Sequence, residues 1–79
     1  MTDTDAAFVK RSISIAGHAT SVALEPLFWE GFDAIVQRRG LTTAALIAEI
    51  DAGRTGGLAS AIRIYVLRDV MAQADNASS

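Results

Sequence analysis

The sequence has no cysteine and one histidine, His18, and these two shortages close off much chemistry. Without thiols there is no disulfide framework and no thiolate nucleophile. A lone imidazole with no thiolate falls short of a structural zinc site, which takes four protein ligands. Glu30 with Asp33, and Glu49 with Asp51, are neighbouring carboxylates, but neither pair comes with a nucleophile or a ligand. Both read as solvated helix faces. No catalytic residue, metal site or cofactor is expected.

Long apolar runs are missing too. The longest uncharged stretch, between Arg11 and Glu25, is broken by serine, threonine, glycine and histidine. No membrane span is predicted. Charged residues make up only 20% of the chain and the net charge is −2, so the chain as a whole is not a basic one. Basic residues gather locally at Lys10-Arg11 and Arg38-Arg39. The start, Met1-Thr2-Asp3-Thr4-Asp5, is acidic where a secretory leader would be basic. With the lack of cysteine, this leads to an expected cytoplasmic location.

What is abundant is apolar surface. Hydrophobic residues make up 51% of 79 residues. So small a domain needs a staple to offset its chain entropy. With disulfides and zinc set aside, oligomerisation remains, and a homodimer or higher homo-oligomer is expected.

Residues 1–8 and 74–79 are small and polar and read as tails flanking one domain over 9–73. From Val9 the pattern alternates: Val9, Arg11, Ile13 and Ile15 on one side, Lys10, Ser12 and Ser14 on the other. That predicts a strand over 9–15. A second alternation over 19–24 sets Thr20, Val22 and Leu24 against Ser21 and Ala23. A two-residue turn at Gly17-His18 would place Ile15 opposite Thr20 and Ile13 opposite Val22, giving a hairpin with one apolar face.

Pro26, the only proline, is preorganised for a helix start, and Arg38-Arg39-Gly40 suits a helix end. A helix over 26–39 would carry Phe28, Phe32, Ile35 and Val36 on one stripe, flanked by Trp29. A second helix over 42–52 presents Leu46, Ile47 and Ile50. After Gly53-Arg54-Thr55-Gly56-Gly57, which lacks the lysine of a phosphate loop and reads as a connector, a third helix spans 58–73. It has two apolar stripes, Leu58-Ile62-Tyr65-Val66 and Ile64-Leu67-Val70-Met71, so one of them is expected to meet a partner. The fold class is α+β, mostly α: a β-hairpin followed by two or three helices.

The run Thr20-Ser21-Val22-Ala23-Leu24-Glu25-Pro26 with Phe28, Trp29 and Phe32 resembles the ribbon-helix-helix superfamily of bacterial repressors and antitoxins. Gly40-Leu41-Thr42-Thr43-Ala44-Ala45-Leu46-Ile47 resembles the entry to that family's second helix. Lys10 to His18 and Ile47-Ala48-Glu49-Ile50-Asp51 are similar to a short bacterial subgroup. The resemblance covers about residues 10 to 70. It implies an intertwined dimer whose paired strands enter the DNA major groove, which admits a two-stranded ribbon. The groove-facing positions would be Ala19, Ser21 and Ala23. Thr42 and Thr43 would meet phosphate at the helix start. Lys10 with Arg11 reads either as a phosphate clamp or as an ordinary charged strand edge. Ala19 and Ala23 offer no hydrogen bond, so Ser21 would be the direct reader. Two partners remain open: double-stranded DNA through the ribbon, or a protein through the helix 58–73.

Overall fold

The structure, a computed structural model, describes residues 7–78. The tail expected over residues 1–6 lies outside the described residues. Alternation over 9–24 does produce a hairpin. β1 (Val9–Ile15) and β2 (His18–Leu24) pair antiparallel in a two-stranded sheet. Ile13, Val22 and Leu24 are buried on one face, as the alternation requires.

The register differs from the expected one. Ile13 lies opposite Thr20, Arg11 opposite Val22 and Ile15 opposite His18. The turn is therefore Ala16-Gly17 rather than Gly17-His18. Pairing runs out to Val9 with Leu24, whereas the expected register would have left Val9 and Lys10 facing Glu25-Pro26. A two-residue shift preserves the faces, because side chains alternate with period two. Ala16 and Gly17 both take positive φ, 51° and 83°, the sense of a type I′ turn. Alanine in that conformation costs about 1–2 kcal/mol, and asparagine tolerates it better. Ala16→Asn is thus expected to raise stability by about 0.5–1 kcal/mol, read from the urea midpoint. An unchanged or lower midpoint would contradict the turn geometry.

Three helices follow: α1 (Pro26–Arg39), α2 (Thr43–Gly53) and α3 (Leu58–Ser78). Pro26 occupies the first turn of α1, and Gly40 closes it at φ 66°. The Leu41 amide donates to the Val36 carbonyl there, satisfying an end carbonyl. Thr42 caps α2, its Oγ1 accepting from the Ala45 amide at 3.0 Å. Residues 74–78, expected as a tail, instead continue α3. Ala74 and Ala77 are strong helix formers, and no glycine or proline intervenes to stop the chain.

All these elements share one core. Leu24, Phe32, Ile35, Leu46, Ile47 and Ile62 are its most deeply buried large side chains. Trp29 is 2% exposed and belongs in this core, while Phe28 and Val36 pack only at its margin. Trp29 and Phe32 meet edge to face, centroids 5.5 Å apart. Of the two stripes on α3, Ile62 and Val66 are buried, whereas Ile64, Leu67, Val70 and Met71 are exposed. α1 and α3 approach closely at Gly31, where an added Cβ would lie 2.7 Å from Val66 Cγ1.

Candidate nucleic-acid interface

The hairpin divides its side chains between two duties. The core face carries Val9, Arg11, Ile13, Ile15, Thr20, Val22 and Leu24. The other face is built of three cross-strand pairs: Lys10 with Ala23, Ser12 with Ser21, and Ser14 with Ala19. Five of these six residues are exposed and Ala23 is half-buried. Apart from Lys10 the face holds only small side chains, three of them hydroxylated. Backbone and hydroxyls can therefore approach an opposing surface closely.

The expected site residues are split by this arrangement. Lys10, Ala19, Ser21 and Ala23 stand together on the outer face. Arg11 does not join them. Its Nη1 and Nη2 donate to Asp33 Oδ1 and Oδ2, each at 2.9 Å, and its guanidinium lies 4.2 Å from the centre of the Trp29 ring. The Asp33 hydrogen bonds hold the Arg11 pKa above its usual value. A fork-to-fork pair on an aromatic platform fixes orientation. Here it fastens β1 to α1, beside the Trp29 Nε1–H that donates to the Val9 carbonyl at 2.7 Å. Thr42 and Thr43 belong to a different element, the amino end of α2, and Thr43 is half-buried. Ser12 and Ser14, not among the expected site residues, share this outer face, and the alternation that selects Ser21 also selects them.

Four other arginines are equally committed. Arg38 pairs with Asp69, Arg39 with Glu49, Arg54 with Asp51 and Arg63 with Glu25. Arg39 also donates to the Tyr65 hydroxyl at 2.8 Å. Hydrogen bonds from Arg63 and Arg39 hold the Glu25 and Glu49 carboxyls below their ordinary pKa. Among the described residues, Lys10 and Arg68 are the basic side chains without an ion pair. His18 opens β2 on the surface. In the connector, Arg54 bends back to the Gly56 carbonyl, so its charge is turned onto its own loop. No group of three or more His, Cys, Asp or Glu among the described residues could hold a metal ion. No helix of the described residues is long and apolar enough to cross a membrane.

A hairpin laid over helices, with a polar outer face, is the build of a ribbon-and-helix domain. The sequence matches the ribbon-helix-helix domain over residues 8–70. The chain belongs to the ribbon-helix-helix family, whose members generally form dimers, bind DNA and are typically non-enzymatic. A solved structure, an uncharacterized protein from Bordetella pertussis Tohama I, is similar at TM-score 0.79 and 29% identity. The match covers 96% of this chain and 66% of that one. Among curated proteins, none matches.

Proposed function

We propose that the chain is a small bacterial DNA-binding protein of the cytoplasm, a transcriptional regulator or antitoxin-like protein. It acts as an intertwined dimer that presents the outer hairpin face to the major groove. The observation that carries this reading is the face itself: Lys10, Ser12, Ser14, Ala19, Ser21 and Ala23, turned away from the core on the outer side of the hairpin. Ser21 and Ser12 reach base edges. The methyl groups of Ala19 and Ala23 meet thymine methyls. Lys10 neutralises a phosphate, and the free amides at Thr42 and Thr43 take another. Arg11 serves by holding β1 in place.

Gel shifts on the protein's own upstream region and on unrelated duplexes, across a salt series, test the reading. Log affinity falls by roughly 0.9 per phosphate neutralised, so one free lysine per protomer gives a slope of about 2 for a dimer. Lys10→Ala should flatten that slope and weaken all sequences alike. Ser21→Ala should cost no more than about 1–3 kcal/mol, at one position per half-site. Absence of binding to every duplex at low salt would end the reading. The second reading, an assembly module that docks a protein through α3, is favoured by the exposed Ile64, Leu67, Val70 and Met71.

A further inference from the structure

A cleft of about 480 Å³ opens between the end of α2, the connector 54–57 and the first half of α3, a size that suits a small molecule. Its floor is apolar, built of Ile50, Ala61 and Ile64, and Ile64 is 49% exposed. Glu49, Tyr65 and Arg68 supply polar groups to its lining. The connector at one end is braced. Arg54 Nε donates to Asp51 Oδ1 and its Nη1 to the Gly56 carbonyl, which ties the loop to the last turn of α2. The cleft is therefore held in shape before anything enters it, as ligand sites generally are.

Charge decides what the cleft takes. Arg54 and Glu49 are already engaged, with Asp51 and with Arg39. Arg68 has no ion partner among the described residues, whereas the five other arginines do. It follows Ile64 by one turn, and helical side chains lean toward the helix start, so its guanidinium is directed back over Ile64. The Tyr65 hydroxyl accepts from Arg39 Nη1 at 2.8 Å, which leaves its own O–H to donate. A free guanidinium and a free O–H beside an apolar floor suit a carboxylate on an apolar body. A dianion is disfavoured. Hydrogen bonds from Arg39 hold the Glu49 carboxyl below its ordinary pKa, so a second negative charge would meet one already lining the cleft.

We infer that this cleft is a binding site for a small monocarboxylic acid with an apolar body, its carboxylate held by Arg68 and Tyr65 and its body lying on Ile50, Ala61 and Ile64. None of the outer-face residues of the hairpin lines it, so the site stands whether or not the chain binds DNA.

Benzoate is the probe, with benzamide as its neutral counterpart and inorganic phosphate as an anion that lacks an apolar body. Titration of the full chain, followed by amide chemical shifts, should show saturable changes with benzoate at residues 53–57 and around Ile64. Benzamide should bind about tenfold more weakly, the scale of a charge-assisted hydrogen bond. Phosphate at the same concentration should leave these amides unmoved. Arg68→Gln should bring benzoate down to the level of benzamide, while Ile64→Gln should weaken both alike. Circular dichroism should show both variants folded, since each replaces a side chain on the surface. The assignment is overturned by a parent chain that gives no saturable shift with benzoate, that binds benzoate and benzamide equally, or that answers phosphate as it answers benzoate. An Arg68→Gln variant that binds benzoate like the parent overturns it too.

Discussion

Leu24→Asp is expected to abolish the folded state, whereas Ser21→Asp leaves it intact and abolishes the proposed DNA binding. Leu24 is 0% exposed and packs in the shared core. The substitution forfeits about 1.5–3 kcal/mol of apolar burial. It also buries a carboxylate with no partner, which costs several kcal/mol more even after relaxation. Against a total stability of about 5–15 kcal/mol for a domain, that loss is decisive. Ser21 stands on the opposite face and is exposed, so an aspartate there is solvated. On the proposed groove-facing side, however, it would bring a negative charge into the negative potential of DNA. Far-UV circular dichroism and thermal melting read the fold, and gel shifts read the binding. If Ser21→Asp unfolds the chain and Leu24→Asp does not, the two faces of the hairpin are assigned the wrong way round.

Trp29→Ala should destabilise by about 3–5 kcal/mol, the range for removing a large buried aromatic. Three attachments go with the ring: the edge contact with Phe32, the hydrogen bond to the Val9 carbonyl, and the platform beneath Arg11. Trp29→Phe keeps a ring in the core and loses mainly the hydrogen bond, at about 0.5–1.5 kcal/mol. Urea unfolding followed by circular dichroism separates the two. Equal losses would mean that the hydrogen bond, not the packing, is what the tryptophan supplies. A small loss in both would place Trp29 outside the core.

How much of this could be read beforehand follows from which signals are periodic. The two faces of the hairpin were legible because alternation assigns each residue to a side. Register was not, because a shift of two residues leaves the alternation untouched and alanine gives no hint of positive φ at Ala16. Lys10 and Arg11 looked like one basic spot only while adjacency in sequence was used in place of alternation. Placing Arg11 with Val9 and Ile13 already put it on the inner face, but its partner Asp33 depends on how α1 docks. The same holds for Arg38 with Asp69, 31 residues apart, which no local pattern encodes. Trp29 and Phe28 differ by one helical step of about 100°, and tertiary packing chose between them. In the candidate site, alternation located the outer face and its serines; whether a cation there was free depended on distant carboxylates.

The pairing of arginines shapes how this protein encounters anything else. Five guanidiniums are each cancelled by a carboxylate a few ångströms away, so little of their field extends beyond the surface. Residues 7–78 balance to zero, and Asp3 and Asp5 carry the whole net charge of −2. Such a body exerts almost no pull on a polyanion from a distance. Under the proposed DNA-binding reading, its association with a duplex is then unsteered, at rates nearer 10⁵–10⁶ M⁻¹s⁻¹ than the roughly 10⁸ M⁻¹s⁻¹ reached with electrostatic guidance. The time spent bound, rather than the speed of arrival, is left to set occupancy.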